Sequence, residues 1–191
     1  MPSMPNIFAK PSSPAVPLYL VASADAKEWL KTQGSQTQNS AASQSWIGKL
    51  GQTLCVTENG LPIILAIGLG DAASRRRNRF GVVANIASLP EVILELIHQD
   101  IKIAQEFALG FVLSKYRFTR YAPNPSQKAE LICPAGVDER QLQAIIEGEF
   151  LTRDLINTPA NDMGPDELEA AAQDLADEYG AQISVVTGQD L

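Results

Sequence analysis

Apolar runs of strand length alternate along this chain with stretches whose apolar residues recur every three or four positions. Val16-Pro17-Leu18-Tyr19-Leu20-Val21-Ala22 reads as a strand, its proline suited to a strand end. Ser23 is placed to cap a short helix over Ala24–Thr32. Gln33–Ser40 is a polar stretch, too poor in apolar residues to fold alone, and a short helix is expected over Ala41–Leu50. Thr53–Thr57 and Pro62–Ile67 read as strands, and Asn59-Gly60 between them is a hairpin signal. A helix over Ala73–Ala87, a strand over Val92–Ile97 and a helix over Ile101–Tyr116 follow. In the last of these Ile103, Phe107, Ala108, Phe111 and Val112 share one face.

The second half has clearer punctuation. Pro123-Asn124-Pro125-Ser126 reads as a loop and Leu131-Ile132-Cys133 as a short strand closed by Pro134. Asp138 is a helix cap with Gln141 three residues on, and Leu142, Ile145, Ile146 and Phe150 carry the stripe to about Leu155. Pro159 ends that helix. Gly164-Pro165 opens another, with Asp166 and Glu167 beside its positive end; Leu168, Ala172, Leu175 and Tyr179 form its apolar face, and Gly180 closes it. Ala181–Val185 alternates like a strand. The interleaving predicts an α/β fold, a mixed sheet flanked by helices. The first 15 residues, rich in proline and serine, read as an extended or frayed arm.

Charge divides the chain. Residues 138–191 carry 13 Asp+Glu against 2 Lys+Arg, whereas residues 1–137 carry 9 against 13. The shift places a boundary near residue 137. The acidic part would repel phosphate, which argues against nucleic acid as a partner of the whole chain. The N-terminus does not read as a signal peptide, and no apolar run is long enough to span a membrane. Cys55 and Cys133 stand alone in apolar surroundings, as two buried thiols of a cytosolic protein would.

Candidate chemistry is sparse. His98 is the sole histidine and has no second zinc-ligand residue at a suitable spacing, so it reads as a surface or half-buried histidine at a strand end. Gly68-Leu69-Gly70 lies between a strand and a helix, where a phosphate loop would sit, but the third glycine of a dinucleotide fingerprint is missing and a tight turn is the preferred reading. Arg75, Arg76, Arg77 and Arg79 form a basic cluster on a predicted helix, and three consecutive arginines cannot share one face; a solvated face or a subunit contact is preferred to a nucleic-acid patch. Glu147 and Asp154, seven apart, and Glu149 raise a metal hypothesis, against which stands ordinary solvation of a helix exterior. Asn157–Asp162 suits a helix stop and turn. No catalytic, cofactor-binding or metal-binding residue is assigned.

Glu149-Phe150-Leu151-Thr152 followed by Arg153-Asp154-Leu155-Ile156-Asn157-Thr158-Pro159-Ala160-Asn161-Asp162-Met163-Gly164-Pro165 closely resembles the junction segment of the leucyl aminopeptidase (cytosol aminopeptidase) family. Ala108–Tyr121 resembles that family's Gly-rich helix running into Tyr-Arg-Phe. The likeness is good over roughly residues 100–187, and elsewhere holds only in the order of elements. It implies a macrodomain-like N-terminal α/β domain (1–137), a linking helix and junction (138–163), and the first helix–strand unit of a truncated catalytic domain (164–191). It further implies a cytoplasmic hexameric parent in which two divalent metals, zinc or manganese, activate water against an N-terminal peptide bond. The family's metal and catalytic residues lie in the C-terminal domain, and neither its Asn-Thr-Asp-Ala-Glu-Gly-Arg segment nor its catalytic lysine segment occurs here. The expectation is a non-catalytic N-terminal fragment with no cofactor of its own. The alternative is a self-standing module that uses Gly68–Gly70 and Arg75–Arg79 to bind a nucleotide or nucleic acid.

Overall fold

The computed structural model describes residues 7–98, 100–123 and 128–188. They form two compact units, one within residues 7–146 and the other within residues 147–188. The first unit is a five-stranded mixed sheet with helices. Its strands are β1 (Val16–Ala22), β2 (Thr53–Glu58), β3 (Leu61–Gly70), β4 (Ile93–Ile97) and β5 (Glu130–Leu131), in spatial order β2-β3-β1-β4-β5. β1 is central and pairs in parallel with β3 and β4, β5 is parallel to β4, and β2 runs antiparallel to β3. The β2–β3 hairpin turns on Asn59 and Gly60, both at positive φ (50° and 81°), as the Asn-Gly pair predicts.

Side chains alternate across the sheet, so successive residues of β1 serve different layers. Val21, Leu54, Val56 and Ala66 form one core cluster with Ala26, Ala41 and Trp46, and Tyr19, Trp29 and Leu30 pack against it. Trp29 stands between Tyr19 and Trp46, with ring centroids 5.4 Å from each. Helices α1 (Ala26–Lys31) and α2 (Ser35–Ser43) supply this layer. Leu18, Leu65, Ile67 and Leu94, all fully buried, belong to the interior as well. Helix α4 (Ile101–Leu113) buries Ala104, Phe107, Ala108, Phe111 and Val112, four of the five positions that its periodicity marks among them. Asp100 caps α4 by accepting from the Lys102 and Ile103 N–H groups.

In the first unit four local expectations fail for identifiable reasons. Ser23 does not cap α1; its hydroxyl donates to the Gly48 carbonyl at 2.7 Å, and Asp25 holds the cap position. The second helix lies in the polar stretch rather than over Ala41–Leu50. Thr37 and Ala41, one turn apart, are its buried anchors, and Gln36 and Gln44 donate to the Thr57 and Cys55 carbonyls of edge strand β2. A polar sequence is therefore helical because it covers a strand edge that would otherwise stay open. The helix expected over Ala73–Ala87 stops early: α3 spans Ala72–Arg77, Asn78 leaves helical geometry (φ −140°, ψ 84°), and two 3₁₀ turns follow at Gly81–Val83 and Ile86–Ser88. The arm is not frayed from residue 7 onward: Ile7 and Phe8 are buried and the Ala9 N–H donates to the Leu131 carbonyl at 2.8 Å. Residues 1–6 of that arm, and the 124–126 part of the expected Pro-rich loop, lie outside the described residues.

Helix α5 (Glu139–Asn157) begins in the first unit, with the Gln141 N–H bonded to Asp138 Oδ1 at 3.1 Å as the cap signal predicts. The second unit holds its last turns and α6 (Pro165–Tyr179). Gly180 closes α6 in the left-handed region at φ 63°, and the Ala181 N–H returns to the Ala176 carbonyl at 2.8 Å. The expected strand over Ala181–Val185 is absent. Residues 181–187 have no strand partner among the described residues, and an alternating sequence becomes a strand only where a ladder partner meets it. No helix among the described residues is long and apolar enough to cross a membrane.

Candidate functional site

After β1 the chain passes to β2, beyond β3 in the sheet, and after β3 it passes to β4, on the other side of β1. The carboxyl ends of two such neighbouring strands are where open α/β sheets commonly receive ligands. Gly68-Leu69-Gly70 sits there, and the chain itself fills the place. The Gly68 N–H donates to the Gln52 carbonyl and the Gly51 N–H to the Gly68 carbonyl, both at 2.9 Å. The Gly70 N–H donates to the Gly48 carbonyl at 3.0 Å, and its own carbonyl accepts from the Ser23 N–H at 3.1 Å. A Cβ on Gly68 would collide with the Lys49 carbonyl oxygen and the Gly48 backbone. The two glycines therefore admit a neighbouring turn rather than a phosphate; the tight turn expected over them is not formed, because β3 runs through Gly68 and Leu69 to Gly70 before α3 starts at Ala72.

That inserted turn is itself built around one side chain. Gln52 Oε1 accepts from the Ile47 and Lys49 N–H groups, its Nε2 donates to the Ser45 carbonyl, and Trp46 Nε1 donates to the Gln52 carbonyl at 3.1 Å.

Beside this plugged crevice the structure gathers charge. α3 starts with a reciprocal cap: Asp71 Oδ1 accepts from the Ser74 N–H at 2.7 Å, and the Asp71 N–H donates to Ser74 Oγ at 3.0 Å. The Ser74 backbone donor, more than any other group, holds the Asp71 carboxyl below its ordinary range. The arginine cluster then splits. Arg75, Arg76 and Arg79 line one cavity of about 390 Å³ together with Lys102 and Glu106 of α4, whereas Arg77 does not. Arg79 Nε donates to Glu106 Oε2 at 2.8 Å across the cavity. Lys102 and Glu106, one turn apart on α4, escape sequence reasoning because nothing local links them to arginines 23 to 31 residues earlier.

His98 directly follows β4 and is half-buried, as its sequence position suggests. Its Nε2 is shielded from solvent and has no hydrogen-bond partner among the described residues. Burial pulls the imidazole below its ordinary value, with Arg75 adding to that and Asp100 opposing it. Both cysteines are free, and both are half-buried rather than buried. Burial, aided by Glu139 and Asp138, pushes the Cys133 thiol up to about 11.

In the second unit Glu149 is engaged by Arg153 Nε and Nη2, each at 2.9 Å. Among the described residues no group of three or more His, Cys, Asp or Glu side chains is arranged to hold a metal ion. A pair of divalent metals thus does not fit the residues present, Glu147, Glu149 and Asp154 included. The junction does what its composition suggests. The buried Thr158 donates through Oγ1 to the Asp154 carbonyl at 2.7 Å, the Asp162 N–H reaches the Pro159 carbonyl at 2.9 Å, and Glu167 Oε2 accepts from the Gly164 N–H at 2.9 Å. One helix stops, the chain turns and the next starts.

The described residues form a mixed α/β sheet domain and a helical junction. A family model described as M17 aminopeptidase, N-terminal domain, matches residues 16–134, and the chain belongs to that family. A probable cytosol aminopeptidase 1 of Shewanella oneidensis is 29% identical over 176 residues, covering 82% of this chain and 35% of that protein. A probable cytosol aminopeptidase of Sinorhizobium medicae is 26% identical over 215 residues, covering 96% and 43%. The crystal structure of a cytosol aminopeptidase from Coxiella burnetii superposes with a TM-score of 0.81 at 25% identity, over 95% of this chain and 39% of that one. A tomato leucine aminopeptidase variant shares the fold, with a TM-score of 0.66 at 19% identity, over 90% of this chain and 41% of its own. The chain spans between about a third and two-fifths of the length of these curated relatives.

Proposed function

We propose that this chain is the non-catalytic N-terminal part of a cytoplasmic metalloaminopeptidase that removes N-terminal residues from peptides. The observation that carries the reading is the family match over residues 16–134, which is confined to the N-terminal domain. In the parent, two divalent metals, manganese or zinc, would be held by a C-terminal catalytic domain and would activate water against the peptide carbonyl. The parent would be a hexamer. Residues 1–137 would form the N-terminal domain, residues 138–163 the linking helix and junction, and residues 164–191 the opening of the catalytic domain.

Exposed apolar side chains on the last segment support that final assignment. Leu168 is 53% exposed, Tyr179 64% and Val186 56%, although the helix period groups Leu168 and Tyr179 as one apolar face. Such a face is ordinarily buried against a partner layer. Hydrolysis of a leucine chromogenic substrate by the purified chain, with manganese or zinc added, tests the reading. No turnover is expected, and clear metal-dependent turnover would refute it.

A further inference from the structure

The cavity between α3, the first 3₁₀ turn and α4 has two zones. Its floor is apolar, with Leu69, Val82 and Phe107 all buried. Its walls carry Arg75, Arg76, Arg79 and Lys102 against the single carboxylate of Glu106, a net charge of +3. Glu106 neutralises Arg79 alone. Among the described residues Arg75, Arg76 and Lys102 have no carboxylate within 4.0 Å. Like charges held on facing elements repel one another, and an unneutralised cluster of this kind favours an anion that bridges them. At about 390 Å³ the cavity lies within the roughly 300–1,000 Å³ range of small-molecule sites.

We propose that this cavity binds a small organic phosphate, its phosphate groups held between the α3 arginines and Lys102 and its apolar or aromatic body resting on the Leu69–Val82–Phe107 floor. Guanidinium groups offer paired donors matched to phosphate oxygens, and a polyphosphate brings enough charge to engage three free cations at once. A long nucleic-acid backbone fits less well, because the cations line a concavity rather than a ridge and no aromatic residue is exposed among them. The site adjoins the end of β3 through Leu69 and draws no donor from Gly68 or Gly70, whose N–H groups are already used.

Calorimetry on the 191-residue chain at low ionic strength tests the proposal, with ADP as the probe. Pyrophosphate, adenosine and a short DNA duplex are the comparison ligands. ADP should bind with a Kd between about 1 µM and 1 mM, more tightly than pyrophosphate, and adenosine should not bind. Arg76→Glu and Lys102→Glu should each weaken ADP about tenfold or more, the loss of a charge-assisted contact. Arg77→Glu alters the same helix outside the cavity and should change Kd by less than about threefold. All three side chains are exposed, so circular dichroism should report unchanged folding. Absence of ADP binding, pyrophosphate binding as tight as ADP, preference for the duplex, or an Arg77→Glu loss equal to that of Arg76→Glu would each overturn the proposal.

Discussion

Gly68 faces the carbonyl oxygen of Lys49 with no room for a side chain between them. This contact seats the Gly48–Gln52 turn on the end of β3. Gly68→Ala drives a methyl group into backbone that cannot rotate away, so a loss of about 3 kcal/mol is expected, in the range of overpacked cores. Gly148 provides the opposite case: it lies inside α5 with nothing within 4 Å of its missing Cβ. Gly148→Ala should stabilise the helix by about 0.5–1 kcal/mol. Urea denaturation of the two variants beside the parent chain measures both. Equal midpoints would show that the Gly68 contact is soft.

The Gln36 and Gln44 amides reach carbonyls of the outer strand from α2. Replacing both by alanine should cost only about 1 kcal/mol, because these exposed carbonyls turn to water instead. The larger consequence should be colloidal, since an uncovered strand edge is a template for pairing. Analytical ultracentrifugation over a concentration series is expected to show self-association of the double variant beyond any that the parent chain shows. Identical sedimentation would remove the edge-covering role.

Cys133 should be a slow nucleophile. With its thiol pushed up to about 11, the thiolate is scarce near pH 8.5, whereas an unfolded cysteine is about half ionised there. Iodoacetamide should therefore modify Cys133 on the order of a hundred times more slowly in native protein than in denaturant, as followed by peptide mass spectrometry. The linkage has a definite sign. A raised folded value means that the contribution to stability is complete below the unfolded pKa and is lost as pH rises toward 11. Cys133→Ser should flatten the alkaline limb of the stability profile. A native rate equal to the denatured one would contradict the burial argument.

Residues 181–187 are exposed and lack ladder bonds, so limited proteolysis should cut there before it cuts the sheet unit. Mass spectrometry of the first stable product is expected to show an end shortly after Gly180. First cleavage within the β2–β3 hairpin would refute the ranking of local stability.

The legible features were local ones. A period of two or of 3.6, an Asn-Gly turn, Asp138 with Gln141, and Pro165 with Gly180 each act within a few residues, so sequence alone placed all five strands of the sheet and located α1, α4, α5 and α6 to within a turn of their observed ends. The Arg153–Pro165 motif likewise pointed to the family, because it is long and its residues serve one helix stop and one helix start. What tertiary structure alone decided involves residues that are distant in sequence: Gly68 against Lys49, Gln36 on the β2 edge, Arg76 beside Lys102, and Ala181–Val185 without a partner strand. In each case the outcome rests on which backbone the sheet brings alongside. A polar stretch became a helix, and a strand-like one did not become a strand, because burial and hydrogen-bond partners are supplied by neighbours in space.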